Sequence, residues 1–458
     1  YIIYYIFCSI FYIFEENFIM NNKARYFLSL LALSMGGSSI YLLMYVRYVF
    51  YDSMIAALGC TNAQLGALTT ITTVTGWIFV VPKGVMADRF DSKKLIVLAL
   101  VLNSCCSFFF AASMGRMGYT AALITWCGLA FSTGLGYWPS LMKFINTLAG
   151  PENAAKSFSI YYAIYGIFAA CVNVAEIAIG NMVGFRGTVL VIGSVTLICA
   201  LLDIFLLEND KKREERMLAE GGVRLADTPK PEKHKMALSD IWVMLKWPGL
   251  WYLGIIGLFT YTIYAQISYY NPWLTNVMGL DSTLSSTFST IRTYLFMLFC
   301  PIGGVLADKV FKATYKAFIP LFAVSFVLLA GTLLFKPGIN PMIAAVYSLL
   351  PAVIIMPLYS ITNSCLRELH INPAILGKTI AVAGLLGGFV DGVWPVLFGS
   401  WIDKFGSTGY TYIFMFLAAD CILGIICAIG IGRHHKKCLE GKRVQLLKGQ
   451  ERPEACEW

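Results

Sequence analysis

Pro82–Lys94 reads PKGVMADRFDSKK, and a related stretch, PIGGVLADKVFK, returns at Pro301–Lys312. Each ends a long apolar run. Each also places a glycine four residues before an aspartate that a cation follows: Gly84/Asp88/Arg89 in the first, Gly304/Asp308/Lys309 in the second. The two copies stand roughly 220 residues apart, and internal repetition of this kind marks folds built from two similar halves.

The runs around these stretches set the architecture. Apolar segments long enough to cross a bilayer fall at 26–57, 62–82, 94–114, 119–142, 157–180 and 187–207. After a polar interval they resume at 249–271, 284–307, 315–335, 340–364, 375–399 and 409–431. The pattern predicts an all-α membrane protein, twelve transmembrane helices in two pseudo-symmetric six-helix bundles, 26–207 and 249–432. Residues 1–25 precede the bundles, 208–248 link them with room for a short surface helix, and 433–458 form a tail. Thr61-Asn62 and Asp281-Ser282 offer the short polar side chains that cap helix starts at the second and eighth runs.

Of the 458 residues, 58% are hydrophobic and 13% charged, with a mean hydropathy of +0.69. A soluble protein of that length cannot hide so much apolar surface, so the bilayer is the expected solvent. The net charge of +9 is no nucleic-acid footprint, since no basic helix or aromatic-basic motif accompanies it. Its cations gather in DRFDSKK (88–94), DKVFKATYK (308–316), the linker and RHHKK (433–437), all on one side of the twelve-span map. Cytoplasmic loops carry the positive charge, so both termini are expected in the cytoplasm, with the chain in a plasma or inner membrane.

The thirteen cysteines lie mostly in apolar runs. Neither they nor the four histidines (His234, His370, His434, His435) have ligand spacing, so no metal or other cofactor is expected. With no Walker A loop and no nucleophile–base set, neither ATP-driven transport nor enzyme chemistry is expected. The N-terminal YIIYYIFCSIFYIF lacks the basic start and cleavage site of a secretory signal. Met20 opens MNNKAR just before the first strong run, and we expect the working fold to start there.

GVMADRFDSKK resembles the loop signature of the major facilitator superfamily, roughly G-x-x-x-D-R-x-G-x-R/K-R/K. Gly84, Asp88, Arg89, Lys93 and Lys94 match, and Asp91 stands where the signature has glycine. The resemblance covers 25–435 and implies a secondary transporter working by alternating access. In it the glycine permits close helix approach, and Asp with nearby cations forms a modest cytoplasmic latch; Gly304, Asp308 and Lys309 are expected to act likewise. Three further stretches resemble the organophosphate:phosphate antiporters, the sugar phosphate permeases. These are YVRYVFYDSMIAALG (45–59), GLGYWPSLMKF (134–144) with its basic Lys143, and GLLGGFVDGVWPVLFGSWIDKFG (384–406). That resemblance implies that Arg47 binds a substrate phosphate. Two departures follow: Tyr264 stands where the family has a second phosphate-binding arginine, and Gly166 where the glycerol-3-phosphate transporter has a histidine. The anion inference therefore outlives the phosphate one, with Arg292 in the eighth run as a substitute cation.

A guanidinium inside a membrane is costly and usually marks a site. A bound carboxylate or phosphate would give Arg47 paired, charge-assisted hydrogen bonds. The plainer reading has Arg47 near the outer end of its helix, reaching headgroups or pairing with Asp52. Tyr41, Tyr45 and Tyr48 recur at helical spacing, as a pocket wall or a packing stripe. The substrate-binding candidates are Arg47, Tyr45, Tyr41, Lys143, Tyr264 and Arg292. Asp391 and Glu176 are candidates for a coupled proton, or counter-ions within the bundle. Asp203 and Asp420 are expected to have structural or interfacial roles. Asn271 before Pro272 marks a gate at a helix bend, or simply the helix end.

The expected function is transport of a small organic anion, such as a sugar phosphate or carboxylate, between the halves, driven by proton symport or anion exchange. The partners expected are that anionic substrate, the lipid bilayer and a proton or counter-anion, with no nucleic acid, and the chain is expected to be a monomer. A reading from a different class is a transporter-like membrane sensor that binds ligand without net flux.

Overall fold

In hydrocarbon a backbone must satisfy its own N–H and C=O groups, and helices do this within one segment. In the computed structural model every regular element among the described residues is helical. Those residues are 22–79, 82, 86–87, 89–149, 154–219, 238–372 and 375–445. The proposed start at Met20, Gly84, Asp88, the middle of the linker and the end of the tail lie outside them.

In chain order the helices are α1 Asn22–Leu42, α2 Tyr51–Leu58, α3 Asn62–Ile78, α4 Ser92–Met117, α5 Tyr119–Gly134, α6 Tyr137–Ala149 and α7 Ala154–Leu206. Two linker helices follow, α8 Asp210–Ala219 and α9 Leu238–Lys246. Next come α10 Pro248–Gln266, α11 Tyr270–Asn276, α12 Ser282–Thr293, α13 Cys300–Val305 and α14 Thr314–Thr332. The last are α15 Pro341–Tyr347, α16 Leu349–Ser360, α17 Leu376–Gly392, α18 Trp394–Phe405 and α19 Ser407–Leu439.

Eight described stretches are long and apolar enough to cross a membrane, or nine if α2 and α3, bent by 101°, count as one. Ile160–Leu206, at 47 residues, spans two of the predicted runs. Gly184 breaks it with φ 75°, a conformation cheap only for glycine. The runs at 26–57, 119–142, 249–271 and 340–364 are each divided between shorter helices. Hydropathy alone shows no such breaks. Apolar side chains such as Met182 (83% exposed) and Leu334 (77% exposed) cover the outside, a surface suited to lipid rather than water. Asp281 caps α12 by accepting from Thr283 N and Leu284 N, and Thr61 Oγ1 accepts from Gln64 N at 3.2 Å.

The described residues form two compact units. One takes 22–45 and 75–219; the other takes 46–74 and 238–445. In the first, α1, α4, α6 and α7 share a core that includes Leu33, Ile40, Leu100, Phe144, Tyr161 and Ala200. A polar cluster lies where α4, α6 and α8 meet. Asp91 accepts from Lys94 N, capping α4, and from Asp210 N at 2.7 Å. Asp210 pairs with Lys143 Nζ at 2.7 Å and accepts from Ser92 Oγ at 3.0 Å. Burial by itself would raise the Asp210 carboxyl, but Lys143 and Arg213 outweigh it and hold the group below its ordinary value.

In the second unit α10 packs on α17 and α14 on α19. Two glycines let 62–66 approach 395–399 closely: a Cβ on Gly66 would strike the Pro395 carbonyl, and one on Gly399 the Asn62 carbonyl. Asp403 then accepts from Asn62 N (3.0 Å), Ala63 N (2.9 Å) and Asn62 Nδ2 (2.7 Å) at the start of α3, where a carboxylate suits the helix N-terminus.

Candidate substrate site

The site starts from a break. Between α1 and α2 the chain passes through a 3₁₀ turn, Val46–Tyr48, which leaves backbone carbonyls without helical partners. Side chains of the second unit take them up. Ser289 Oγ donates to Tyr48 O (2.5 Å) and Ser286 Oγ to Val49 O (2.7 Å), while Asn271 Nδ2 donates to Val49 O at 2.7 Å. Irregular backbone at membrane depth is tolerated where protein groups re-satisfy it. Asn271 itself lies just past the turn Ile267–Tyr269 that separates α10 from α11. Asn271-Pro272 therefore lies in the first turn of α11, after the 3₁₀ turn, and the Asn271 amide is what ties the break after α1 down.

Arg47 sits inside that turn, 3% exposed. Its guanidinium carbon lies 5.1 Å from the ring centre of Tyr48 and 5.7 Å from that of Tyr269. Nε and Nη2 are buried and have no hydrogen-bond partner among the described residues. Asp52, the partner considered from sequence, instead accepts from Thr275 Oγ1 (2.5 Å) and Asn276 Nδ2 (2.9 Å). A buried cation with unmade donors against aromatic faces is arranged to receive an anion.

Tyrosines line the same unit. Tyr264 stacks on Tyr359, centroids 4.2 Å apart and planes 9° from parallel, and Tyr261 joins them at 6.0 Å from Tyr264. Tyr261 OH donates to Asp391 Oδ2 at 2.5 Å. Tyr48 lies within electrostatic reach of both Arg47 and Asp391. Arg292 is fully buried on α12. Its Nη1 donates to Ser348 Oγ at 3.0 Å, its carbon lies 5.4 Å from the Tyr270 ring centre, and Nε and Nη2 have no partner among the described residues. Arg47, Tyr264, Arg292 and Asp391 therefore belong to one unit.

The remaining predicted residues lie elsewhere. Tyr41 and Tyr45 contact each other in the first unit, at 6.2 Å. Lys143 is there too, engaged by Asp210 and by the Ala87 carbonyl at 3.3 Å. Glu176 is buried on α7 with Oε1 unpartnered among the described residues. Asp420 is buried on α19. Of the first latch, Arg89 and Lys94 are exposed and Lys93 is buried. In the second, Asp308 pairs with Arg367 at 2.7 Å, both well exposed, and Lys309 is exposed. The expected close approach at Gly304 is corrected: a Cβ there meets open space, whereas one on its neighbour Gly303 would strike the Pro357 carbonyl. Sequence reasoning missed the tyrosine stack, whose signal was the i, i+3 spacing of Tyr261 and Tyr264. The role of Asp403, near the end of the 384–406 stretch, as the cap of α3 was not among the sequence expectations. Among the described residues no group of three His, Cys, Asp or Glu is placed to hold a metal ion.

Comparison with known proteins bears on the fold and the family. The chain is 24% identical over 426 residues to the inner membrane protein YqcE of Escherichia coli K12, covering 89% of this chain and 94% of that one. It is 24% identical over 381 residues to the "Probable sulfoacetate transporter SauU" of Cupriavidus necator H16, covering 80% and 84%. It is 22% identical over 295 residues to the "Probable hexose phosphate transport protein" of Chlamydia trachomatis, covering 58% and 61%. The fold matches the inward-facing, occupied crystal structure of a bacterial homologue of the human lysosomal transporter Spinster, with TM-score 0.68 and 15% identity over 90% of this chain and 97% of that one. Residues 26–370 match the pattern of the Major Facilitator Superfamily. The chain belongs to that superfamily: it is a multi-pass membrane secondary transporter, not an enzyme.

Proposed function

We propose that the chain carries a small organic anion across the membrane by alternating access, with Arg47 as its anchor and both termini in the cytoplasm. The observation that carries this reading is the unmade pair of buried Arg47 donors at a helix break, framed by Tyr48 and Tyr269. A fixed cation in that setting favours an anion that brings two acceptors of its own. Two relatives support the charge class, because sulfoacetate and hexose phosphates are both organic anions. Arg292 offers a second buried cation in the same unit and suits a substrate with two anionic groups. Asp391, held by Tyr261, is the proposed proton carrier if coupling is by symport. Lys143 takes a structural role in this reading.

The test is the thermal stability of the purified protein against sugar phosphates, sulfonates, carboxylates, neutral sugars and inorganic phosphate. A true ligand at a hundredfold its Kd adds about 2.7 kcal/mol. Stabilisation by an organic anion in the wild type, and its loss in both Arg47→Gln and Arg47→Ala, is the expected result. Stabilisation by a neutral sugar alone, or by an anion equally in all three proteins, would overturn the reading. Uptake of the stabilising anion into proteoliposomes then separates a carrier from a sensor.

A further inference from the structure

The first unit holds a buried carboxyl of its own. Asp203 lies on α7, fully buried, and neither Oδ1 nor Oδ2 has a hydrogen-bond partner among the described residues. The core of α1, α4, α6 and α7 around it is built largely from apolar side chains, with buried hydroxyls such as Ser38, Ser39 and Ser140 on the same helices. Two glycines make the room: a Cβ on Gly36 would come within 2.9 Å of Asp203 Oδ2, and one on Gly37 would strike Tyr161 OH. Tyr137 and Tyr161, both fully buried, carry hydroxyls with no partner of their own among the described residues. Both lie within electrostatic reach of Asp203.

The groups facing Asp203 come from every packed element. Tyr137 comes from α6, Tyr161 from the earlier arm of α7 and Cys199 from its own arm; Tyr41 on α1 borders the two tyrosines. From α4 come Leu100, which borders the same Gly36 position as Asp203 Oδ2, and about two turns before it the cation Lys93, buried and within electrostatic reach. An ionised carboxylate without donors in an apolar core is among the costliest groups a protein can hold. A protonated one is far cheaper, and its O–H can be shared with a phenol. We infer that Asp203 is a proton-binding site of this transporter and that Lys93, in the first turn of α4, reads its charge.

The step is proton binding alone: a carboxylate and a proton give a neutral carboxyl, with no bond broken. When Asp203 is ionised it draws Lys93 towards the core; when it is neutral that pull vanishes. Lys93 lies within the first turn of α4, two residues from Asp91, which joins α4 to α8. Proton occupancy at Asp203 thereby bears on the junction of α4 and α8. The inference rests on the transporter family and not on the anion reading, and its readouts need no substrate.

The experiment is infrared spectroscopy of the purified protein across pH, with Asp203→Asn, Asp203→Glu and Lys93→Met beside the wild type. A protonated-carboxyl band should be present at neutral pH, be lost in Asp203→Asn and move in Asp203→Glu. In Lys93→Met, without the nearby cation, the band should persist to higher pH. Asp203→Asn resembles the neutral carboxyl, so its melting temperature at neutral pH should match the wild type. A neutral-pH spectrum that Asp203→Asn leaves unchanged, or a large fall in its melting temperature, would overturn the proton site. A titration unmoved by Lys93→Met would overturn the role of Lys93.

Discussion

Arg213 and Arg47 are both buried arginines, 1% and 3% exposed, yet they are built in opposite ways. Arg213, in the first unit, is fully occupied. It donates to Thr147 Oγ1 (2.6 Å), Asp210 Oδ1 (2.6 Å) and Glu208 O (3.2 Å), and it lies 3.7 Å from the Phe144 ring centre. Arg47, in the second unit, has aromatic neighbours and two donors left over. A cation whose hydrogen bonds are complete fastens structure. One whose bonds are incomplete keeps capacity for a ligand, at a standing cost in stability.

The sharpest way to break the comparison is to mutate both. Arg213→Ala removes one of the two cations on Asp210 together with the hydrogen bonds to Thr147 and Glu208, and should cost about 3 kcal/mol, read as a large fall in melting temperature. Arg47→Gln removes a buried charge whose Nε and Nη2 have no partner among the described residues, so the unliganded protein should change by no more than about 1 kcal/mol. A loss of equal size in both would erase the distinction. Next in size are the glycines of the second unit. Gly66→Ala or Gly399→Ala drives a methyl into backbone and should cost about 1–3 kcal/mol, whereas Gly304→Ala should be nearly silent because its Cβ meets open space.

Acid acts on the first unit more gently. The lowered Asp210 carboxyl contributes stability that is complete above its ordinary titration range and lost as pH falls through its lowered value, so the loss should appear only below about pH 4. Arg213→Ala should blunt that acid loss, and a wild-type loss centred near neutrality would contradict it. Smallest of all is Asp308→Asn. Its pair with Arg367 is solvent-exposed, so stability should change by less than about 1 kcal/mol.

Much of the fold was legible because apolar length and repetition are carried by many residues at once. The two copies of the Gly–Asp–cation pattern and the twelve runs needed no single contact to be recognised. Helix breaks were harder. Nothing in YLLMYVRYVFYD disfavours a helix by composition; the turn at Val46–Tyr48 is supported by Ser286, Ser289 and Asn271, more than two hundred residues away, which donate to the loose carbonyls of Tyr48 and Val49. For the site, Arg47 stood out by charge alone. The roles of its neighbours depended on rotation about helix axes. Periodicity could not tell that Asp52 turns to Thr275 and Asn276, that Lys143 turns to Asp210, or that Tyr264 stacks on Tyr359. Asp91 was noticed only as a departure from a signature glycine, yet it caps α4 and joins it to α8.

The most direct test of the central claim is the affinity of the stabilising organic anion for Arg47→Gln, measured by calorimetry beside the wild type. Loss of a buried charge-assisted pair should weaken binding by about thirtyfold or more, with the unliganded melting temperature held. An unchanged Kd in a folded Arg47→Gln protein would contradict the account and leave Arg47 as a structural charge.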